Sequence, residues 1–179
     1  FLRRRFISAY SCRFSLSAAK PTQKGGLGKF TTFETISGFG ANSRVKIDRF
    51  VYDPRAQQSA VSASVAKGAF RFMSGSALNK GSERSSIRTP IATIGIRGTI
   101  VEGVVGAEAI RIAKEEVGIP RSIAADPETA TLIVLRGPGR NAQGAARGAI
   151  DIAIGDLTIA VEDAGMAVFI PGAGQQPVG

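Results

Sequence analysis

The sequence predicts a mainly β, glycine-rich domain of antiparallel or β-helical stacked sheets, with one short helix and a disordered basic tail at its N-terminus. Three observations lead to this prediction. Apolar and polar residues alternate with a period of two along much of the chain. The 22 glycines lie largely between these runs, as expected for tight turns between short strands. The excess positive charge is concentrated at the start of the chain.

Residues 1–29 are predicted to form the basic leader. The first 30 residues contain seven Lys or Arg and no acid, whereas the rest of the chain carries 16 basic and 14 acidic residues. A tail of this kind can contact anionic lipid or nucleic acid, but a targeting remnant or a disordered leader is the favoured interpretation. Arg3–Arg5 followed by apolar residues partly imitates an export signal, which Arg13 and several serines interrupt.

Composition excludes several kinds of site. The chain has no histidine and one cysteine, so Cys/His zinc sites, histidine-dependent triads and an intrachain disulfide are all ruled out. The longest apolar runs are far shorter than the roughly 18 residues that a membrane-spanning helix needs. We expect no transmembrane segment, no cofactor and no metal. Nucleic acid is not an expected partner, because no stacking platform of basic and aromatic residues is recognisable.

The β domain is predicted to cover residues 30–171. Residues 44–47 alternate cleanly, and a bulge near Asp48 and Arg49 would bring Phe50 and Tyr52 to the same face as Val45. The next alternating runs are residues 61–65 and 70–72, which predict half-buried antiparallel strands.

A polar loop is predicted over residues 74–86, and the next strand begins near Ile87. In residues 91–97 one face is aliphatic, and the other carries small residues beside Arg97. We expect the guanidinium to lie along that face, half-buried or buried, where neighbouring carbonyls or a carboxylate accept its N–H groups. Gly98 permits a sharp bend before the following strand.

Residues 107–117 are rich in helix formers and are followed by Gly118 and Pro120, which predicts one short helix. Its buried stripe would contain Ile110, Ala113 and Val117.

The end of the domain is predicted to be β again. A strand covers residues 130–136, a loop 137–148, and a hairpin 149–161, whose alternating arms are joined by Gly-Asp. Residues 166–170 form a closing strand, and residues 172–179 form a polar tail.

A core motif lies within residues 68–99. It comprises Gly-x-Phe at 68–70, then Thr-Pro at 89–90, then Ile-Gly-Ile-Arg-Gly-Thr at 94–99. This block resembles the FecR domain family, known from periplasmic sensors that regulate sigma factors, and the resemblance covers roughly residues 30–105. The motif positions to which we assign structural roles are Gly68, Phe70, Phe72, Thr89, Pro90, Gly95, Arg97, Gly98 and Thr99.

The resemblance implies a non-catalytic, Gly-rich β domain in the bacterial periplasm or cell envelope, acting in binding, assembly or signal sensing. A protein partner of unknown identity is expected, and a small-molecule ligand is left open. The alternative is a structural β-solenoid module of a secreted or surface adhesin.

An enzyme is not expected, because the paired acids of the sequence do not converge. Glu162 and Asp163, for example, are neighbours on an extended segment and point to opposite faces. The other pairs are best explained as solvated surface. Arg97 has two interpretations, a structural tie between strands or an anion-binding residue, and the structural one is favoured.

Overall fold

The computed structural model describes residues 37–53, 58–73, 85–137 and 148–179. The predicted leader and most of the predicted loops 74–86 and 137–148 lie outside the described residues. The described elements are β1 Ser37–Phe39, β2 Arg44–Asp53, β3 Gln58–Met73, β4 Ser85–Arg88, β5 Thr93–Arg97, β6 Ile100–Val105, α1 Ala107–Ala113, β7 Thr131–Gly137, β8 Ala149–Ile154, β9 Leu157–Val161 and β10 Ala167–Ile170.

The predicted mainly β class is confirmed. The strands form one curled, open sheet with the order β10-β7-β6-β3-β4-β5-β8-β9, and β1 and β2 also pair with β3. The described strands pair antiparallel except for β3 and β4, which are parallel. Of the two arrangements left open by the sequence, the described strands therefore adopt the antiparallel one.

Strand β3 divides the sheet into two half-sheets. Its residues 58–67 pair with β2 and β4, and β5, β8 and β9 extend this first half-sheet. Its residues 68–73 pair with β1 and β6, and β7 and β10 extend the second half-sheet. The buried side chains change parity along β3, from Val61 and Val65 to Phe70 and Phe72. Gly68, with φ +93°, lies where this change occurs.

The main core combines apolar side chains from both half-sheets. The alternating aliphatic residues predicted for the separate strands meet here, which explains why the period-two pattern recurs along the chain. The fully enclosed side chains of this cluster include Val65, Ile94, Val101, Ile133, Leu135, Ile150, Ile152 and Ile170.

A second, smaller core covers the opposite face of the second half-sheet. There α1 packs Ala109 and Ala113 against Val104, Leu132 and Phe169. Because both faces of β6 are covered, all six of its residues are buried. The same arrangement explains the continuous apolar run of β7, in which alternation is absent.

The helix is shorter than predicted, and its buried stripe is different. It ends at Ala113 rather than near residue 117, and Val117 is 96% exposed. The buried positions are Ala109 and Ala113, one turn apart, because two small side chains allow the helix to approach the sheet closely.

Two local predictions are confirmed by the strand registers. The β2–β3 pairing shifts between Ile47 and Arg49, where a bulge was predicted. The β8–β9 hairpin spans residues 149–161 and turns at Gly155 and Asp156, with φ +55° at the glycine.

The C-terminal residues pack more closely than the predicted polar tail. The N–H of Val178 donates to the carbonyl of Phe169 at 2.8 Å, and the N–H of Phe169 donates to the carbonyl of Val178 at 2.7 Å. The last residues therefore return along β10 and cover its outer edge.

Candidate binding groove

The first motif residues form the junction between the half-sheets. Gly68 adopts φ +93°, and a Cβ at this position would lie 2.7 Å from Ser43 Cα. The Ser43 hydroxyl donates to the carbonyl of Ala69 at 3.0 Å, which holds the two segments together. Phe70 and Phe72 then point into the main core with 3% exposure each. These residues are engaged in packing, so they do not form an accessible site.

Thr89 and Pro90 form the turn between β4 and β5. The Thr89 N–H donates to the carbonyl of Ala92 at 2.8 Å, and the Ala92 N–H donates to Thr89 Oγ1 at 3.1 Å. Pro90 and Ile91 therefore lie at the centre of a four-residue turn, where the fixed φ of proline fits the first central position. The turn exposes Pro90 and leaves Ile91 half-buried.

Gly98 and Thr99 connect the two half-sheets a second time. Gly98 has φ +61°, as the predicted bend requires. Thr99 is 1% exposed, and its hydroxyl donates to the carbonyl of Gly137 at 3.0 Å. A Cβ at Gly148 would lie 2.8 Å from Thr99 Oγ1, so this corner is closely packed. Thr99 of the motif therefore has a structural role, since it joins two segments within this corner.

Arg97 lies on the outer face of the first half-sheet and is not buried. Its Nη2 is 2.9 Å from Asp151 Oδ1 on the neighbouring β8 and 4.0 Å from Glu162 Oε1. The expectation that a carboxylate on an adjacent strand accepts from the guanidinium agrees with this geometry. The side chain is 40% exposed, however, so the prediction that it is half-buried or buried is wrong. An ion pair so exposed contributes at most about 1 kcal/mol.

The paired acids of the sequence are exposed, except for Glu116 and Asp151, which are half-buried. Glu115 and Glu162 are exposed, and Arg111 binds Glu115 within the helix region at 2.7 Å. Asp126 accepts from the Glu128 N–H at 2.9 Å and from the Thr129 hydroxyl at 2.6 Å, and the Thr129 bond is the main reason that its pKa is lowered. In the described part of the chain, no three His, Cys, Asp or Glu side chains form a group that could hold a metal ion.

Glu102 is a buried acid that the sequence motif does not include. Its side chain is 6% exposed, with Oε1 3.4 Å from Arg71 Nε and Oε2 3.2 Å from Arg136 Nε. Burial raises the pKa of Glu102, while Arg136 and Arg71 act in the opposite direction. The sequence signal for this buried acid is a glutamate within the apolar run of β6. It predicts burial only when both faces of that strand are known to be covered.

This raised pKa predicts a pH dependence of stability. Protonated Glu102 favours the fold below the usual glutamate pKa of about 4.3, and this contribution is lost as pH rises through the raised pKa. We expect the free energy of unfolding of the wild type, relative to that of Glu102→Gln, to decrease as pH rises from the usual glutamate pKa through the raised pKa of Glu102. Chemical denaturation at a series of pH values measures it.

The control for this titration is Glu115→Gln, which removes the same charge from an exposed position. If the wild type instead gains stability relative to Glu102→Gln as pH rises, the two arginines outweigh the effect of burial, and the predicted sign is wrong.

An open groove lies at one end of the first half-sheet. The β4–β5 turn, the β8–β9 turn and the C-terminal segment meet there and border a space of about 390 Å³ that is open to solvent. Leu157, at the start of β9, is 43% exposed beside it. The lining residues are Pro90, Ile91, Ile154, Gly155, Leu157, Ala173, Gly174, Gln175, Gln176 and Pro177.

This groove, called the binding groove below, offers apolar surface and amide hydrogen-bonding groups. Its lining contains aliphatic and proline side chains with the amides of Gln175 and Gln176, and none of the lining residues is ionisable. Apolar side chains bordered by polar amides are typical of surfaces that bind another molecule by burial and hydrogen bonding. The groove was not predictable from the motif, because only Pro90 among its lining residues belongs to the assigned set.

The fold and groove define a class: a mainly β domain with a closely packed motif and an exposed apolar groove. No protein-family model matches the chain, and neither a curated protein nor a solved structure was found to be similar to it. Among the described residues, no helix has both the length and the hydrophobicity needed to span a membrane.

Proposed function

We propose that this chain is a non-catalytic FecR-like domain of the bacterial cell envelope, which binds a protein partner in assembly or signal sensing. The observation that carries the proposal is the binding groove, with Leu157 43% exposed beside Ile91 and Ile154. Burial of such side chains against a partner is favourable by about 25 cal/mol for each Å² of apolar surface removed from water.

The positions of the FecR-like motif support a separation between residues that build the fold and residues that contact the partner. Gly68, Phe70 and Thr99 are engaged in packing and hydrogen bonding at the junction of the half-sheets. The motif therefore accounts for the scaffold, and the partner is recognised by the turns that the scaffold presents. Pro90 belongs both to the motif and to the groove lining, since it lies in the β4–β5 turn that borders the groove.

The volume of the groove fits part of a protein partner. A space of about 390 Å³ accommodates a few side chains, as a central pocket of a protein interface does. The adhesin alternative would need a solenoid of parallel coils, whereas parallel pairing among the described strands is limited to β3 and β4. This strand arrangement counts against a solenoid of parallel coils.

A photo-reactive amino acid placed at Leu157 of the full chain tests the proposal in cells of the organism that encodes it. We expect irradiation to give one adduct of defined mass with another protein, recovered in the envelope fraction. The matched control places the same amino acid at Thr93, which is exposed on the same half-sheet outside the groove.

Two results would contradict parts of the proposal separately. An absence of adducts at Leu157, or equal adducts at both positions, would exclude the groove as a partner-binding site. A specific adduct found only in the cytosolic fraction would exclude the envelope location and leave partner binding in place.

A further inference from the structure

Among the described strands the two half-sheets have four outer edges, β1, β2, β9 and β10, and two of these, β2 and β10, carry features that prevent pairing with another chain. An open edge presents unpaired N–H and C=O groups, which natural proteins shorten, cover, charge or distort. Strand β1 is described only from Ser37, and its described part ends at Phe39. Strand β10 is covered by the C-terminal segment, through the two hydrogen bonds between Phe169 and Val178.

The edge strand β2 is protected by charge and by irregular pairing. It carries Arg44, Lys46, Asp48 and Arg49, and its register with β3 shifts at two places. Asp48 lies at the second shift, where its carboxylate accepts a hydrogen bond from the Ser64 hydroxyl of β3. Both features are known defences against additional strand pairing.

Strand β9, the outer strand of the first half-sheet, has none of these features. Its sequence Leu-Thr-Ile-Ala-Val contains no charge and no proline, and its register with β8 is unbroken from Leu157 to Val161. In residues 37–53, 58–73, 85–137 and 148–179, no strand pairs with its outer side. This is the pattern of an edge that accepts another strand.

The hairpin geometry indicates which groups a new strand would meet. A two-residue turn makes Ile154 and Leu157 a hydrogen-bonded pair, so alternation directs the N–H and C=O of Thr158 and Ala160 away from β8. The side chains of Thr158 and Ala160 are exposed, while Leu157 lies beside the binding groove. An added strand could therefore place an apolar side chain in the groove.

Charge at the ends of β9 distinguishes between possible occupants. Asp156 precedes the strand, and Glu162 and Asp163 follow it. Glu162 is 72% exposed and 4.0 Å from Arg97, so its charge remains accessible to a partner. If two copies of β9 paired antiparallel, Asp156 of one would face Glu162 of the other, and in-register parallel pairing would also bring acids together. Like charges opposite one another destabilise a ladder.

We propose that β9 takes an additional strand from a partner protein, and that this strand has alternating apolar residues and Lys or Arg at both ends. This inference rests on the proposed function as a partner-binding domain and names the chemistry of the partner. Backbone hydrogen bonds provide the affinity in this mode of recognition, and side-chain pockets with end charges provide the specificity.

The test uses the full chain and a synthetic peptide, Lys-Lys-Val-Thr-Val-Thr-Val-Lys-Lys, titrated by calorimetry and by NMR-detected amide exchange. We expect binding that slows exchange of the Thr158 and Ala160 amides by about tenfold or more. Peptides with Glu at both ends, or with proline at the centre, should bind much more weakly.

Thr158→Lys and Thr93→Lys form a matched pair of variants. Both threonines are exposed and lie in one row across the sheet, because Thr93 pairs with Ala153 and Ala153 pairs with Thr158. A lysine on the open edge should weaken peptide binding by about tenfold or more, whereas the same change on the interior strand β5 should not.

The outcomes separate this inference from the function on which it rests. No binding at millimolar peptide, equal losses in both lysine variants, or no exchange protection at Thr158 and Ala160 would each overturn the edge proposal. A dimer of the chain that only Thr158→Lys dissociates would make a second copy the occupant, and would also overturn it. A specific cross-link at Leu157 alongside such results would leave partner binding through the groove intact.

Discussion

Replacing Gly68 with alanine is expected to lower the free energy of unfolding by about 2–5 kcal/mol. Two costs combine at this position. The backbone has φ +93°, which a residue with a Cβ adopts only with strain, and the new Cβ would lie 2.7 Å from Ser43 Cα and 2.8 Å from Ser43 Cβ. The first of these neighbours is backbone, so relief would require the β2 and β3 segments to separate. Denaturant titration of the variant gives the value.

Gly118→Ala is the matched control for this substitution. Gly118 has a similar φ of +101°, but a Cβ there would meet nothing within 4 Å. It therefore measures conformational strain without overlap. The loss of unfolding free energy should be clearly larger for Gly68→Ala than for Gly118→Ala. Equal losses would show that contact with Ser43 contributes nothing and that the junction is looser than described.

The second large effect is expected for Gly103→Ala, which should destabilise the fold by about 1–3 kcal/mol or more. Gly103 pairs directly with Phe70, whose ring covers it in the main core. An added Cβ would lie 2.6 Å from Phe70 Cε1 and 3.0 Å from the carbonyl oxygen of Leu132. The ring is 3% exposed, so it has little space into which to move. Thermal and denaturant unfolding both report this loss.

A double substitution and a control strand position identify the cause. Phe70→Leu should lower the free energy of unfolding less in the Gly103→Ala background than in the wild type, because the smaller side chain relieves the overlap. Gly95→Ala is the control, since its Cβ would meet Asp151 atoms only at 3.8–3.9 Å. That change should be neutral or stabilising by about 0.5–1 kcal/mol. Simple additivity of the two core changes would contradict the ring-contact explanation.

Local patterns in the sequence predicted the strands well where one face alone is buried. The parity reversal between Val45 and Phe50 indicated the bulge at Asp48, and Gly-Asp between aliphatic runs indicated the β8–β9 hairpin. Both signals arise from the period of two, which a partly exposed sheet preserves. The strand character of residues 61–65 and 70–72 was likewise predictable, but their union into one strand was not.

Properties that depend on contacts between distant segments could not be predicted. The burial of Glu102 depends on its neighbours across the sheet, where Arg71 of β3 and Arg136 of β7 lie against its carboxylate. The exposure of Arg97 depends on what the neighbouring strand leaves open, and a carboxylate partner on β8 lies 54 residues away in sequence. The binding groove combines two turns with the C-terminal segment, which period-two patterns do not describe.

The sharing of β3 by both half-sheets has a consequence for how the domain loses its structure. The described ladders that leave β3, to β1, β2, β4 and β6, all use the backbone of the same 16 residues. Neither side can melt around this strand without removing hydrogen-bond partners from the other. The domain should therefore behave as a single cooperative folding unit, in which damage on one side is felt across the whole molecule.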